Sequence, residues 1–331
     1  MSFMVFLLVF VLGGLWLLCS FNEQSGLREA FLKAFLLFSG LLAVGTEILS
    51  FFNQINTGGL IVLWISSLLV ISLLIWRKLA STGKSPFEAT GFRPIFRESS
   101  SALFFTLLGL CIVFLMLTLI TALQAPPNNF DAMTYHMARV AHWIQNQNIR
   151  YYPTFIPRQN YSMPLAEFAV LHLQLLSRSD QYANLVQWSS YLMSIVAASL
   201  IMGEYVPSKN LQAFTGLLVA ATPMAILQSS NAQNDLVVAA FCLAFFYFLM
   251  KLPDQKRLWG LVFTGLSFGL ALMTKGTAYL YSCAIGLLLG GAYLLQKVAG
   301  EERKKRLVNL TLIVLIGLTI NAGVYIRNWQ L

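Results

Sequence analysis

Four ionisable side chains follow or interrupt apolar runs in this sequence, and their types suit acid–base chemistry on a charged substrate. Residues 128–137, NNFDAMTYHM, place Asp131 close to Tyr135 and His136, straight after an apolar run. The other three are Asp235 in SSNAQND, Lys275 in TKGT and Arg327 in YIRN. A carboxylate can act as general base, and Lys or Arg can neutralise negative charge that develops during a reaction.

Each of these side chains also has a purely structural interpretation. Asp131 and Asp235 precede helical patterns, where Asp commonly caps the free N–H groups of the first turn. Lys275 and Arg327 lie at the ends of apolar runs, where single basic side chains commonly extend to the lipid headgroups. Taken one at a time, these residues do not identify a site.

The elements that must position them are membrane helices. Of the 331 residues 57% are hydrophobic and 11% are charged, and the mean hydropathy is +0.69. Repeated long apolar runs predict an all-α polytopic membrane protein, and the first run lacks the features of a cleaved signal peptide. The ten predicted spans are 3–20, 31–51, 58–76, 102–123, 184–202, 211–228, 236–250, 258–273, 277–295 and 307–326.

The net charge of +9 is a topology signal, because the basic residues are sorted between loops. Of the 22 Lys and Arg residues, 16 lie in alternate loops and six in the others. An excess of Lys and Arg marks the cytoplasmic side. We therefore expect both termini and the loop 124–183 outside, which brings Asp131, Asp235, Lys275 and Arg327 to one membrane face. Nucleic-acid binding is not indicated.

The long outer loop predicts two amphipathic helices at the membrane interface. In the first, the predicted apolar face is Met133, Met137, Val140, Ala141 and Ile144, and the opposite face is Tyr135, Arg139, His142 and Trp143. Pro164 opens the second, with apolar residues Leu165, Phe168, Leu171 and Leu175. We divide the chain into an N-terminal three-span extension with a cytoplasmic linker, 1–100, and a core, 101–331.

The sequence contains no compact metal-binding motif. His136 and His142 are six residues apart, which does not place two ligands on one helical face, and neither HExxH nor DxD occurs. The four cysteines lie in or beside apolar runs without CxxC spacing, so no disulfide framework or zinc site is indicated. No cofactor is predicted with certainty, and a divalent metal held by Asp235 and another acid stays open.

Residues 101–331 resemble the GT-C membrane glycosyltransferases, which include protein O-mannosyltransferases of family 39 and the bacterial aminoarabinose and RgtA/B/C/D-like transferases. The segments that carry the resemblance are FDAMTYHMARVAHWIQN, SMPLAEF, NAQNDLVVAAFCLAFFYFL, ALMTKGTAYLY and YIRNWQL. The family core has seven spans, and seven are predicted from Ser101 onward. This chain departs from the family in having Ala132 where many relatives have a second acid, and in its three additional N-terminal spans. It also ends soon after Trp329, where relatives continue, as a fragment or a short form would.

The resemblance implies an enzyme that moves a sugar from a polyprenyl-phosphate carrier to a hydroxyl of a glycan, lipid or protein acceptor outside the cytoplasm. It implies Asp131 as the catalytic base and Lys275 as the cation nearest the phosphate. The other residues assigned to substrate binding are Asp235, Tyr135, His136, Arg139, Arg158 and Arg327. We expect an integral protein of the bacterial inner membrane with its site facing the periplasm.

Two other classes of function fit a polytopic chain. A transporter or lipid flippase concentrates charge at helices broken near mid-membrane, often in inverted repeats. No inverted repeat or paired broken helices are recognisable in the sequence, and the charges collect at one face, which favours an enzyme. The second alternative is a non-catalytic scaffold of an envelope-assembly complex. Turnover of a lipid-linked sugar distinguishes these classes.

The charge sorting predicts an outcome for cysteine-accessibility labelling. With the native cysteines replaced, Asn160→Cys should react with a membrane-impermeant reagent added outside, and Lys84→Cys and Lys304→Cys should react only from the cytoplasm. The physical basis is the 16-to-6 division of basic residues between loops. Labelling of Asn160→Cys from the cytoplasmic side alone would place the candidate site on the wrong face.

Overall fold

The computed structural model describes residues 4–21, 26–82, 101–253, 257–296 and 300–329, and these residues form helices and loops without a strand. The helices of the N-terminal part are α1 Val5–Ser20, α2 Leu27–Phe51 and α3 Thr57–Thr82. The next are α4 Ala102–Gln124, a π-helical turn Ala132–His136 that leads into α5 Met137–Asn146, α6 Arg158–Tyr161 and α7 Leu165–Ser177. The rest are α8 Leu185–Tyr205, α9 Lys209–Ala220, α10 Pro223–Ser229, α11 Asp235–Met250, α12 Arg257–Thr274, α13 Thr277–Ile285, a π turn Gly286–Gly290, α14 Gly291–Leu295, α15 Gly300–Ile320 and α16 Ala322–Trp329.

Every predicted span coincides with a helix, but fewer than ten are long enough to be assigned as spans. Within the described residues, α2, α3, α4, α8 and the unit Thr277–Leu295 are long and apolar enough to cross a membrane. The bent pairs α9/α10 and α15/α16 raise the number to seven. The helices α1 and α11 have 16 residues each, which cover about 24 Å at 1.5 Å per residue. The all-helical fold is confirmed for the described residues, its five to seven candidate spans are consistent with a polytopic membrane protein, and the number ten stays a prediction.

Two predicted spans are broken near one end, which the sequence did not reveal. Helix α9 meets α10 at an angle of 65°, where Pro223 opens the second helix. Helix α15 meets α16 at 58°, and at this break the Asn321 side-chain amide donates to the Gly269 and Gly317 carbonyls. The segments beyond the breaks have seven and eight residues. The expectation of no paired broken helices was therefore wrong, although both breaks lie close to the predicted outer face.

Loops that charge sorting assigns to one side do meet one another. Pairs at the predicted outer end are Lys275 with Asp235, Arg327 with Glu47, and Asn148 with Asn53. Pairs at the predicted cytoplasmic end are Arg28 with Ser199 and Gln212, and Lys251 with Glu29 and Glu204. The alternation of loops between two ends agrees with these contacts, and which end faces outward stays a prediction.

Close packing of α12 against α15 brings two of the predicted site residues to the same end. The Cα of Gly317 lies 3.0 Å from where a Cβ on Gly269 would be, so small residues are required at this crossing. Lys275 follows the end of α12, and Arg327 lies in α16 beyond the end of α15. Both residues therefore lie beyond this crossing at the same end of the helix pair.

The outer-loop helices pack differently from the predicted interfacial pattern. In α7 the predicted apolar residues Leu165, Phe168, Leu171 and Leu175 are buried inside the protein. In the first helix Arg139 and Trp143 lie on the buried side, whereas Met133 and Ala141 are exposed. The predicted division of faces was thus only partly correct. The π turn inserts an extra residue per turn and rotates the face, and a buried carboxylate of α7 makes burial of Arg139 feasible.

The same packing places His172 of α7 fully inside the protein against the N-terminal helices. Trp64 donates its indole N–H to His172 Nδ1 over 3.1 Å, and Nε2 lies 2.9 Å from Thr46 Oγ1. Since Thr46 Oγ1 donates to the Leu42 carbonyl, it accepts from His172 Nε2–H. Both ring nitrogens are used by the neutral ring, and burial lowers the pKa of His172 to about 3.

This burial predicts a pH dependence of stability. The unfolded chain protonates His172 near pH 6.5, whereas the folded chain does so only near pH 3, so the unfolded state gains protons first and stability falls between these values. His172→Gln should flatten the fall of thermal stability between pH 6.5 and pH 4, measured in one detergent. His142→Gln, which changes a partly exposed histidine stacked on Tyr152, is the control and should keep the wild-type slope. An unchanged slope in His172→Gln would refute a buried neutral ring.

Candidate active site

The turn that carries Asp131 is capped by a different residue. The Asn129 side-chain oxygen accepts from the Ala132 N–H over 2.7 Å, and the Asn129 carbonyl accepts from the Met133 N–H over 3.1 Å. The Asp131 side chain makes no capping bond. Its partly buried carboxylate has no hydrogen bond or ion pair with any residue that the structure describes. The capping interpretation of Asp131 is therefore not supported, and the carboxylate is available for chemistry.

Asp235 likewise lies in the first turn of α11 without capping it. The side-chain oxygen of Gln187, from α8, accepts from the Leu236 N–H over 2.8 Å and from the Val237 N–H over 3.3 Å. The Asp235 carboxylate instead accepts from Lys275 Nζ at 2.5 Å. The two side chains remain 41% and 31% exposed, respectively. This ion pair was not predicted, although both members were.

Side-chain amides join the three segments. Gln233 donates to the Asn129 side-chain oxygen over 3.3 Å, which connects the loop before α11 to the turn of Asp131. Asn234 donates to the Thr274 carbonyl over 3.1 Å, which connects the same loop to the residue before Lys275. These connections bring the end of α12, the start of α11 and the π turn to one place.

Tyr135 lies among the groups so assembled. The pKa of Tyr135 is raised to about 12, first by burial and then by the negative charges of Asp131, Glu167 and Asp235, against the opposing effect of Arg158. The Arg158 guanidinium carbon is 5.9 Å from the Tyr135 ring centre. The structure thus unites five predicted residues, which we call the outer cluster: Asp131, Tyr135, Arg158, Asp235 and Lys275.

His136 and Arg139 have a different environment from the outer cluster. Both are buried around Glu167, whose Oε1 lies 2.8 Å from His136 Nδ1 and 3.3 Å from Arg139 Nη1. Arg139 also donates to the carbonyls of Ser162 and Asn160. Burial alone would raise the pKa of Glu167, but His136 and Arg139 hold it below its ordinary value. These contacts are structural, and a role for His136 and Arg139 in substrate binding stays a prediction.

Arg327 is also engaged by a carboxylate. Its two terminal nitrogens bind the two oxygens of Glu47 in α2 over 2.6 and 2.7 Å. It lines a small pocket with Arg139, Tyr151 and Asn160, and the described contacts do not join it to the outer cluster. A role of Arg327 in phosphate binding stays a prediction. Glu167 and Glu47 carry no spacing signal, and each could have been suspected only as an acid within an apolar helix.

Within the described ranges, no three His, Cys, Asp or Glu side chains are placed together to hold a metal ion. Asp131 and Asp235 are the two carboxylates of the outer cluster that a divalent ion could use. Both are oxygen donors, which suit hard cations such as Mg²⁺ or Ca²⁺.

Comparison with known families agrees with the motifs. The family model described as dolichyl-phosphate-mannose-protein mannosyltransferase matches residues 164–326. The resemblance is therefore confirmed over these residues, which match a family that has the GT-C glycosyltransferase fold. The match and the apolar helices together support a membrane glycosyltransferase of the GT-C type. The matched range contains Asp235 and Lys275 but begins after Asp131. No curated protein and no solved structure matches the chain.

The Glu167 contacts predict a large loss of stability in Glu167→Gln. The substitution leaves the buried Arg139 guanidinium without a counter-charge, and breaking a buried ion pair costs roughly 3–5 kcal/mol. Thermal unfolding in detergent should therefore shift to clearly lower temperature. Glu301→Gln removes the carboxylate of an exposed pair with Lys304 and should leave the midpoint unchanged. Equal midpoints for the two variants would show that Glu167 does not hold the loop.

Proposed function

We propose that this glycosyltransferase moves a sugar from a polyprenyl-phosphate carrier to an acceptor hydroxyl on the extracytoplasmic side, with Asp131 as general base. The observation that carries the proposal is the Asp131 carboxylate, which is unpaired among the described residues and shares the outer cluster with Lys275 and Arg158. The description of the matched family specifies dolichyl-phosphate-mannose, a sugar on a polyprenyl-type phosphate, as the donor. The excess of Lys and Arg in the alternate loops supports an outward-facing cluster.

The reaction assigns a distinct task to each charge. Asp131 accepts the proton of the acceptor hydroxyl while the hydroxyl oxygen forms a bond to the anomeric carbon. The bond from that carbon to the phosphate oxygen breaks, and the phosphate leaves with the electron pair. Lys275 offsets the negative charge that develops on this leaving group, and the exposed Arg158 is the next available cation.

The pairing of Lys275 with Asp235 is compatible with this task. Ion pairs that water reaches contribute little to stability, about 0–1 kcal/mol, so a phosphate can take the place of the carboxylate at small cost. Asp235 would then be free to bind the acceptor or a divalent ion. The pair therefore keeps Lys275 near the place where the donor phosphate must lie.

A transporter or flippase remains the second candidate, because two spans are broken. Transporters place such breaks near mid-membrane around the substrate. Here the segments beyond the breaks are only seven and eight residues long and lie towards one end, beside loops that carry the outer cluster. This position suits a site at the membrane surface. A transporter would move the lipid-linked sugar without forming a glycosylated product.

Asp131→Asn tests the general base. The variant keeps the size of the side chain, and Asn129 continues to cap the turn, so thermal stability should match the wild type. Transfer should fall by roughly 10²–10⁴-fold, the usual contribution of acid–base catalysis. Asp180→Asn, in the same loop and exposed, should transfer sugar at the normal rate. A stable Asp131→Asn protein with normal transfer would eliminate Asp131 as the base.

Two variants of Lys275 test the phosphate contact. Lys275→Ala should weaken use of the lipid-linked donor, since no positive charge replaces the ammonium group. Lys275→Arg should retain part of the activity, because the charge persists while the geometry changes. Donor titrations of the transfer rate give the comparison, with the exposed Arg150→Ala as control. Wild-type donor dependence in both Lys275 variants would exclude this role.

A further inference from the structure

The outer end of α2 bonds to the core through a row of polar side chains. Thr46 contacts the buried His172, and Ser50 Oγ accepts from the Ile149 N–H over 3.0 Å. Just beyond the helix, the Asn53 side-chain oxygen accepts from Asn148 over 3.2 Å. Thr46 and Ser50 are four residues apart in α2 and therefore lie on one face of the helix. Together with Glu47 and Asn53 we call them the polar seam.

Glu47 is the charged residue of the polar seam, and it binds Arg327. Two parallel bonds fix the guanidinium plane as well as its position, which a single contact does not. Only 28% of the Glu47 side chain and 18% of the Arg327 side chain are exposed, so the pair is partly shielded from water. A Cβ added to Gly323 would lie 2.9 Å from the Glu47 carboxyl. The carboxylate thus lies directly against the backbone of α16.

Helix α16 does not continue in the direction of α15. The 58° bend separates the two helices, so side-chain contacts must set the direction of α16. Glu47 of α2 binds it through Arg327. The Tyr151 hydroxyl of the outer loop donates to the Asn328 side chain, and Val324, one turn earlier in α16, is only 3% exposed. Helix α16 is therefore held by contacts with both α2 and the outer loop.

The seam contacts the same loop that carries the outer cluster. Asn53 and Ser50 bind residues 148 and 149, directly after the helix that begins with the π turn of Asp131. Arg327 and Arg139 line one pocket, and Arg139 shares Glu167 with His136, the residue after Tyr135. Helix α2 thus contacts the loop that carries the outer cluster directly at residues 148 and 149, and Arg327 shares a pocket with Arg139 of the same loop.

We propose that Glu47 is a positioning residue, through which the N-terminal helices hold α16 and the outer loop in the arrangement that sugar transfer needs. The N-terminal helices are then a working part of the transferase and not an appendage to its core. The inference rests on the proposed function for the reaction itself. The arrangement of the seam can be measured without that reaction.

Glu47→Gln is the test, with Glu204→Gln as the matched control. Glu204 is a carboxylate of similar exposure, 34%, in a 3.1 Å pair with Lys251 at the opposite end of the bundle. Glu47→Gln should lower transfer by at least about tenfold, because a misplaced site loses rate steeply, while Glu204→Gln stays near the wild type. The exchanged pair Glu47→Arg with Arg327→Glu should be more active than either single substitution. Equal transfer by Glu47→Gln and Glu204→Gln would overturn the proposal.

A second measurement is independent of transfer. With the native cysteines replaced, Val324→Cys places a nearly isosteric thiol under the seam, where a soluble reagent reaches it only when α16 opens. Adding Glu47→Gln should raise the labelling rate by about tenfold or more, whereas adding Glu204→Gln should not. An unchanged rate overturns the proposal, even if the wild type transfers no sugar and the proposed function itself fails. Faster labelling with wild-type transfer would also overturn it, because position would then not matter to the reaction.

Discussion

The buried carboxylate of Glu167 is the interaction on which the outer part of the molecule depends. It lies between His136 and Arg139, and it joins α7 to the helix that begins with the π turn. A charge buried away from water is stable only when its partners are close and well oriented. Glu167, His136 and Arg139 can therefore adopt few other arrangements. Because Arg139 also binds two loop carbonyls, the position of the loop follows from the same contacts.

The ionisable side chains fall into two groups according to whether they form a shielded ion pair between helices. Glu167 with Arg139 and Glu47 with Arg327 are shielded pairs that connect helices distant in sequence, and their role is to hold the fold. Asp131, which has no partner among the described residues, and the partly exposed pair of Asp235 with Lys275 have little structural effect, so they can exchange contacts with a substrate at small cost. Ionisable groups that the fold does not need are reasonable candidates for chemistry, and here they lie together.

The family match and the structure complement each other. The matched range, 164–326, includes Asp235 and Lys275, and so the family evidence reaches the proposed phosphate side of the cluster. Asp131 and the N-terminal helices lie outside that range. Hydrogen bonds connect both of them to the rest of the protein. Gln233 donates to Asn129 in the turn that carries Asp131, and Arg327 donates to Glu47 in the N-terminal helix α2. The division of the chain at residue 100 stays a prediction, since α2 and α3 both pack on α7.

The sequence by itself determined the helices, the alternation of basic loops and the family, because hydropathy, charge sorting and short motifs are local properties that a chain carries without folding. The convergence of Asp131, Asp235 and Lys275 on one end followed from that alternation. Only the tertiary structure decided that Asn129 and not Asp131 caps the turn, that Arg139 is buried, and that Arg327 binds Glu47. The last pair is separated by 280 positions, and each partner is chosen by which helices pack together. No local pattern encodes such a pairing, because its free energy arises only once packing has removed both charges from water.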